Sequence, residues 1–224
     1  MILAVPKKDI TRATLGLSET GFIFCCFNTN YKITYREFNI WMRLLHKIKD
    51  CVLWLLQSNK WSEINLKKEA LDRGIDPARL IFMRSCEYSE YLSRLTVADL
   101  YLDTFTFNAG AIANDSLWCG LPVLTRQGQS YVARMASSLL AAVDLPECIA
   151  TNEDGYEMRA LELASNTKKL NSIKARLAVN KNKAPLFDSN RFTRNIESAY
   201  TQIYAKYFAG EKPKSMRMEE YKTH

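Results

Sequence analysis

The stretch from Leu100 to Thr125 carries residue types that would bind a phosphate group and a sugar. A predicted strand, Leu100–Leu102, ends at Asp103, and a turn of Asn, Ala and Gly leads into a predicted helix, Ala109–Cys119. The first backbone N–H groups of a helix lack intrahelical acceptors, and they bind anions together with the positive end of the helix dipole. Asp115, about one turn into the helix, offers a carboxylate to a sugar hydroxyl. The pattern predicts a nucleotide or sugar-phosphate pocket at the carboxyl end of a parallel sheet.

Short apolar runs alternate with amphipathic segments along the rest of the chain, which predicts strands that alternate with helices. Strands in this alternation form a parallel sheet covered by helices on both faces, so the predicted fold class is α/β with a Rossmann-like sheet. The six predicted strands are Phe22–Phe27, Cys51–Leu56, Leu80–Met83, Leu100–Leu102, Val123–Thr125 and Cys148–Ala150.

Capping residues and apolar spacing place the helices between these strands. Thr34 and Glu37 form a capping-box pattern. Predicted helices begin at Thr34, Ser62, Tyr88, Ala109, Ser130, Thr151, Thr167 and Asp188 or Ser189. Two of them carry an aromatic stripe that predicts a buried face. The first stripe is Phe38, Trp41, Met42, Leu45 and Ile48, and the second is Phe192, Ile196, Ala199, Ile203 and Tyr207.

Composition narrows the class of protein further. The chain has 224 residues and a formal net charge of +7, spread along the helices rather than gathered in a block. This diffuse charge fits an anionic ligand and is weak evidence for nucleic acid. Six cysteines without a CxxC spacing indicate reduced thiols in a cytoplasmic protein rather than a zinc site. The run Cys51–Leu56 is too short to span a bilayer, and Met1–Val5 is followed by Lys7 and Lys8 in an order unlike a secretory signal.

Several ordered motifs resemble one known family, the O-linked N-acetylglucosamine transferases and their SPINDLY-type relatives. The similar segments are Phe24 to Ile33, Val52 to Leu56, Ala98 to Thr104, Leu117 to Thr125, Ala133 to Ser138 and Ala184 to Phe187. The resemblance covers roughly Phe22 to Gly210 and is to the carboxyl-terminal half of the family's enzymes.

The resemblance implies one half of a GT-B glycosyltransferase, the Rossmann-like domain that binds the nucleotide of UDP-N-acetylglucosamine. The family transfers the sugar to Ser or Thr hydroxyls of proteins, inverts the anomeric carbon and needs no metal or other cofactor. TPR repeats usually precede its catalytic part. The implied organisation is a connector over 1–20, the nucleotide-sugar-binding domain over 21–210 and a flexible tail over 211–224, with the acceptor bound by a half that this chain lacks.

The family's site residues align with two positions in predicted loops, Lys32 and Cys86, and with two in a predicted helix, Tyr91 and Arg94. Lys32 matches a lysine that contacts the diphosphate and stabilises the leaving group, although a lysine in a polar turn is usually only solvated. Tyr91 falls where the family stacks a histidine on uracil, and the alternative is a half-buried helix residue. Arg94 matches a basic residue near the nucleotide, with a surface arginine as the alternative. The backbone of Cys86 matches a contact to the base.

Other positions depart from the family pattern. Tyr88 replaces a lysine near the ribose. Gly110, Ala111 and Ile112 replace a histidine and two threonines, so backbone N–H groups alone would hold the diphosphate there. Asp115 matches the ribose-binding carboxylate, and its alternative is a favourable charge early in a helix.

The further polar positions are Thr29, Arg134, Asp103 and the two histidines. Thr29 falls where the family has a glutamine near the phosphates and is shorter. Arg134 either reaches the pocket or pairs with an acid elsewhere. Asp103 is interpreted as a structural residue that holds its loop. The histidines, His46 and His224, do not lie in settings typical of a general base, and no Asp-x-Asp metal motif occurs.

Three hypotheses follow. The first is the UDP-sugar-binding part of a protein O-glycosyltransferase, inactive without its other half. The second is a non-catalytic remnant that binds a nucleotide sugar or a partner protein. The third is a flavodoxin-like signalling domain with Asp103 as phosphoacceptor.

Overall fold

The computed structural model describes residues 10–218 and contains one six-stranded parallel sheet in the order β3-β2-β1-β4-β5-β6. The strands are β1 Phe22–Cys26, β2 Cys51–Leu56, β3 Leu80–Met83, β4 Leu100–Leu102, β5 Val123–Arg126 and β6 Ile149–Ala150. The helices are α1 Tyr35–Lys47, α2 Lys60–Asp72, α3 Tyr88–Leu95, α4 Ala111–Trp118, α5 Met135–Ala142, α6 Glu153–Ser165, α7 Thr167–Asn180 and α8 Ser189–Phe208. The predicted α/β fold with a parallel sheet is confirmed.

The strand order reverses at the centre of the sheet, where β1 lies beside β4. Phe24 pairs with Leu100, and Cys25 pairs with Tyr101. In an open parallel sheet, the loops after two such neighbouring strands separate to opposite faces and leave a crevice at the carboxyl ends. The loops that follow β1 and β4 contain Lys32 and Gly110. The topology therefore brings two of the predicted site segments to the same edge.

Helix α1 confirms both its predicted start and its predicted buried face. Thr34 Oγ1 accepts a backbone N–H, and Glu37 Oε1 accepts the Thr34 N–H at 2.8 Å, as a capping box requires. Trp41, at 1% exposure, donates its indole N–H to the Tyr156 hydroxyl on α6 at 3.3 Å. The apolar stripe of α1 therefore packs into the core between the sheet and α6.

Helix α8 contradicts the prediction of a buried aromatic face. None of its residues is buried, and Phe192 and Tyr207 are 64% and 73% exposed. The start near Asp188 is correct, because the Asp188 carboxylate accepts the Arg191 N–H at 2.9 Å. The periodicity identified an apolar face, but this face is not buried by the described residues, 10–218.

Four helix starts differ from the prediction, and those of α2 and α6 differ because a neighbouring asparagine captures the first N–H donors. Helix α2 begins at Lys60 instead of Ser62, since Asn59 caps it by accepting the Ser62 N–H at 2.9 Å. Helix α6 is capped by Asn152 rather than Thr151, through the Gly155 N–H at 2.7 Å.

The segment before α5 folds as turns, which moves the start of this helix as well. Helix α5 begins at Met135 rather than Ser130, because the Gly128 N–H donates to the Ala133 carbonyl at 2.8 Å and closes a loop. The same loop accepts the Asn108 N–H at the Val132 carbonyl, 3.0 Å away. The segments after β4 and β5 are thus joined above the sheet.

Three strand ends also shift by one residue, in β1, β5 and β6. Strand β1 ends at Cys26 rather than Phe27, and β6 begins at Ile149 because Pro146–Cys148 forms a 3-10 turn. Before β1, Arg12 donates to the Asp99 carboxylate at 2.7 Å and to the Val97 carbonyl at 3.0 Å. The described part of the predicted connector is therefore attached to the sheet.

Candidate functional site

A pocket of about 290 Å³ lies at the carboxyl ends of β1, β2 and β3, between the starts of α3 and α4. Four of the predicted site residues, Cys86, Tyr91, Ile112 and Asp115, line it. Its remaining walls come from Phe27, Leu56, Met83, Ser85 and Tyr88. The mixture of aromatic and aliphatic walls with one carboxylate and two phenols is typical of a small-molecule site.

Aromatic rings form one side of this pocket. The rings of Tyr88 and Tyr91 stack with centroids 6.0 Å apart and an interplanar angle of 27°. The Phe27 ring meets Tyr91 edge-on at 6.4 Å. Burial raises the pKa of Tyr91, and its buried hydroxyl has no hydrogen-bond partner among the described residues. Tyr91 therefore presents a flat, uncharged ring, which is what stacking on a base requires.

Asp115 shares the pocket with a phenol. The Tyr88 hydroxyl donates to Asp115 Oδ1 at 2.9 Å. Burial raises the pKa of the Asp115 carboxyl, and the hydrogen bond from Tyr88 opposes that rise. Burial, followed by the bond to Asp115, raises the pKa of Tyr88 to about 12. The phenol consequently stays protonated at neutral pH and remains a donor to the carboxylate.

A second corner of the site combines Lys32 with the start of α4. Lys32 ends a 3-10 turn, Asn30–Lys32, that follows β1. Its ammonium lies 3.4 Å from the Asn108 carbonyl oxygen and 3.8 Å from the centroid of the Phe107 ring. Asn108 is two residues before Gly110, the N-cap of α4. The structure thus brings Lys32 beside the segment that leads into this helix.

The start of α4 exposes backbone donors without a side-chain cap. Gly110 makes no side-chain capping bond, and helical hydrogen bonding begins with the Asn114 N–H to the Gly110 carbonyl at 3.0 Å. The N–H groups of Ala111 and Ile112 are among those that have no acceptor within the helix. The helix begins at Ala111 rather than Ala109, because the Ala109 N–H donates to Asp103 at 2.7 Å. An anion here would meet backbone donors and a lysine.

Asp103 holds the loop between β4 and α4 from below. Its carboxylate accepts the Ala109 N–H at 2.7 Å, the Thr104 N–H at 2.9 Å, the Thr125 hydroxyl at 2.7 Å and the Asn28 amide at 3.3 Å. Burial raises the pKa of Asp103 to about 7 against these bonds, which lower it. The carboxylate is fully buried, so it is not exposed to a phosphoryl donor, and the signalling hypothesis loses its central residue.

Sequence reasoning missed two partners of Asp103. Asn28 and Thr125 are both fully buried polar residues at the carboxyl ends of β1 and β5. The sequence places both residues next to strand ends. It does not predict that they contact Asp103, because both are distant from Asp103 along the chain.

The other predicted residues do not line the pocket. Arg94 donates to Glu90 at 2.6 Å and to the Arg84 carbonyl at 3.1 Å, which places it behind Cys86. Arg134 is exposed at the N-cap of α5, and Thr29 is the N-cap of the turn that contains Lys32. The roles of these three residues remain predictions.

The two histidines do not contribute to the described site. His46 Nε2 lies 2.8 Å from the Arg73 carbonyl, near the end of α1 away from the pocket. His224 lies outside the described residues. Across residues 10–218 no three His, Cys, Asp or Glu side chains come together as metal ligands would.

A larger cavity of about 640 Å³ lies between the end of α8 and the segment 211–216. None of the predicted site residues lines it, and its polar side chains are mainly lysines, so size alone does not identify the functional site.

Among residues 10–218, none of the helices combines the length and the apolar character that a bilayer span requires.

Comparison with known proteins identifies the family of this chain. The model of glycosyl transferase family 41 matches residues 5–196. The chain is 32% identical over 216 residues to a probable UDP-N-acetylglucosamine–peptide N-acetylglucosaminyltransferase, SEC, of Arabidopsis thaliana, covering 96% of the chain and 22% of that protein. It is 30% identical over 200 residues to the UDP-N-acetylglucosamine–peptide N-acetylglucosaminyltransferase of Caenorhabditis elegans, covering 89% of the chain and 17% of that protein.

Solved structures show the same fold. A mutant O-GlcNAc transferase of Thermobaculum terrenum superposes with a TM-score of 0.78 at 23% identity, covering 89% of the chain and 39% of that structure. The lipopolysaccharide glycosyltransferase WaaG superposes with a TM-score of 0.63 at 15% identity, covering 83% of the chain and 49% of that structure.

The fold is one Rossmann-like α/β unit of the GT-B type. The chain belongs to glycosyl transferase family 41, whose curated relatives here are O-GlcNAc transferase and SPINDLY proteins. The family resemblance predicted from the motifs is confirmed. The chain spans about a fifth of the length of the curated relatives it matches.

Proposed function

We propose that this chain is the UDP-sugar-binding domain of an inverting, metal-independent protein O-glycosyltransferase that transfers N-acetylglucosamine to Ser or Thr in the cytoplasm. The observation that carries the proposal is the meeting of two half-sites at the point where the strand order reverses. The aromatic pocket with Asp115 would hold the nucleoside, and Lys32 with the start of α4 would hold the diphosphate.

The proposed chemistry is stabilisation of the leaving group. Breaking the sugar–phosphate bond leaves additional negative charge on the β-phosphate, and preorganised donors aimed at that charge lower the barrier. Lys32 would supply a positive charge, and the first N–H groups of α4 would supply neutral donors. Because the Phe107 ring and the Asn108 carbonyl already hold the ammonium, little reorganisation would be needed when the diphosphate arrives.

Acceptor binding and proton removal are proposed to come from another part of the enzyme. His46, the one histidine among residues 10–218, lies on α1 with its ring bonded to a backbone carbonyl. It is therefore not placed to take a proton from a hydroxyl in the pocket. We expect no sugar transfer from UDP-N-acetylglucosamine to a peptide by this chain alone, and labelled sugar on the peptide would contradict that expectation.

Titration calorimetry with UDP, with and without a chelator, tests the binding proposal. We expect heat in both conditions. The variant Lys32→Met should weaken UDP binding about 10-fold or more, since a charge-assisted hydrogen bond contributes roughly 1.5–3 kcal/mol. It should leave uridine binding unchanged, because uridine has no phosphate.

Lys60→Met is the matched control, because Lys60 also lies over an aromatic ring, that of Trp61 on α2, but does not line the pocket. Absence of heat at millimolar UDP, or equal effects of the two variants, would refute the proposed diphosphate site.

A non-catalytic remnant that binds a nucleotide sugar or a partner protein is the second candidate. The observation that favours it is the helix start itself, where Gly110, Ala111 and Ile112 offer no side-chain donor to a diphosphate. UDP binding that is unaffected by Lys32→Met would favour this candidate, because the leaving group would then lack its cation.

A further inference from the structure

We propose that Asp103 is a positioning residue for the diphosphate corner, the place where Lys32 meets the start of α4, and that it fixes both without contacting the ligand. This inference rests on the proposed function and adds to it a residue that acts through others. It starts from a cluster of buried polar residues under the loop that joins β4 to α4, called here the Asp103 network. Its members are Asn28, Asp103, Thr104, Asn108 and Thr125.

The first branch of the Asp103 network leads to the start of α4. Oδ1 of Asp103 accepts the Ala109 N–H at 2.7 Å and the Thr104 N–H at 2.9 Å. A carboxylate accepts several donors at once, so this one side chain holds both ends of the loop. Because Ala109 directly precedes Gly110, the N-cap of α4, the bond determines where the helix begins and where its first N–H groups lie.

The second branch leads through the loop to Lys32. The Thr104 hydroxyl donates to the Phe107 carbonyl at 2.7 Å, and the Asn108 side chain donates to the Thr104 carbonyl at 2.7 Å. These bonds position the Phe107 ring and the Asn108 carbonyl, and both groups contact the Lys32 ammonium. The position of the cation therefore depends on the same loop, and on the same carboxylate, as the start of the helix.

Asn28 joins this loop to the segment that carries Lys32. It follows β1 directly, and its side-chain amide donates to Thr104 Oγ1 at 2.8 Å and to Asp103 Oδ1 at 3.3 Å. The segments after β1 and β4, which supply the two parts of the diphosphate corner, are thus bonded to each other beneath it. A rigid support of this kind is what keeps donors preorganised for a developing charge.

Two atoms of the network indicate that it serves more than stability. Asn28 and Asn108 are 1% and 0% exposed, and Oδ1 of each has no hydrogen-bond partner among residues 10–218. Both amides are oriented by their donor groups, which bond within the network. A buried amide oxygen without a donor is unfavourable, and such violations are typical of functional sites rather than of a core.

Asp103→Asn tests the proposal, because it keeps the shape of the side chain and replaces one acceptor oxygen with a donor. Burial raises the pKa of Asp103 to about 7, so calorimetry at pH 8 compares the variant with a mainly ionised parent. We expect Asp103→Asn to weaken UDP binding about 10-fold and to leave uridine binding unchanged, because only the diphosphate uses this corner.

Thr104→Val is the second variant, and it tests the proposal even if Asp103→Asn does not fold. Valine keeps the shape of threonine but removes the bond to the Phe107 carbonyl and the acceptor for the Asn28 amide. We expect it to weaken UDP binding about 3- to 10-fold, again without an effect on uridine.

Thr125→Val is the matched control. The Thr125 hydroxyl donates at 2.7 Å to Oδ2, the other oxygen of the same carboxylate, and it comes from β5 rather than from the loop. The thermal midpoint should fall, whereas the affinity for UDP should stay unchanged. A double-mutant cycle adds a further readout, because the loss caused by Asp103→Asn should shrink when Lys32→Met is already present.

The outcomes distinguish this inference from the function beneath it. If the parent does not bind UDP, or if Lys32→Met has no effect, the proposed function fails and the inference falls with it. If Lys32→Met weakens UDP binding but Asp103→Asn and Thr104→Val do not, only the inference is overturned. Equal weakening of UDP and uridine, or an equal effect of Thr125→Val on UDP, would assign Asp103 a purely structural role and overturn it as well.

Discussion

Helices α1 and α8 have the same pattern in sequence and opposite environments in the structure. Each carries aromatic and aliphatic residues at helical spacing, and each begins at its predicted cap. Phe38 and Trp41 of α1 are 3% and 1% exposed, whereas Phe192 and Tyr204 of α8 are both 64% exposed. The difference shows that periodicity identifies an apolar face without revealing what covers it.

The physical cause lies in what surrounds each helix. Helix α1 follows β1 and returns to β2, so the crossover forces its face against the sheet, and α6 covers its other side. Helix α8 comes after α6 and α7, with no strand after it in the described residues, and touches mainly the Pro185–Phe187 turn. Its rings contact one another instead, with Tyr204 and Tyr207 both near Phe208 at 5.9 Å and 5.6 Å between centroids. An exposed patch of this kind is typical of an interaction surface.

The largest effect that would test this comparison is expected from Trp41→Ala on α1. The substitution leaves a large cavity and removes the donor to Tyr156, so the free energy of unfolding should fall by about 3–5 kcal/mol. Urea unfolding measures it. Trp61→Ala is the control, because Trp61 is 63% exposed on α2 and should cost no more than about 0.5 kcal/mol. Similar losses in both variants would break the contrast between buried and exposed faces.

A smaller effect is expected in the pH dependence of stability. Asp103 lies beside α6, whose Tyr156 hydroxyl donates to the Asp103 backbone carbonyl at 3.1 Å. Its pKa is raised to about 7, so the folded state binds more protons than the unfolded state between about pH 4 and that value. The free energy of unfolding should therefore fall as pH rises through this window, by up to about 1.4 kcal/mol per pH unit.

Asp103→Asn should flatten this pH slope, and unfolding in urea from pH 4 to 8 measures it. The control is Asp188→Asn at the exposed start of α8, where asparagine caps as well as aspartate, so the free energy of unfolding should change little. If Asp103→Asn leaves the slope as it is, the carboxyl is ionised throughout and the four donors outweigh burial.

The smallest effect is expected on α8. Tyr204→Ala and Tyr207→Ala should each change the free energy of unfolding by no more than about 0.5 kcal/mol, because both side chains are more than 60% exposed. Thermal melts and sedimentation equilibrium of both variants check this. A loss above about 1 kcal/mol that depends on protein concentration would show that the face is covered by a second copy in solution.

The strands were predicted closely because they are short apolar runs between turn residues. Cys51–Leu56, Leu80–Met83 and Leu100–Leu102 have their predicted bounds. The starts of the helices were predicted less closely than the strands, because Asn59 and Asn152 compete with neighbouring residues for the same N–H donors. The start at Met135 was missed because the turns before it depend on a bond between Asn108 and Val132, which are distant in sequence.

The sequence by itself determined the order of strands and helices, the uncapped start of α4 and the residue types at the site, because these depend on patterning within a few residues. Only the tertiary structure decided that Tyr88 bonds to Asp115, 27 residues away, and that Asn28 supports Asp103 across 75 residues. It also decided that α1 is covered and α8 is not. Contacts across such separations follow from strand order and packing, which local periodicity does not encode.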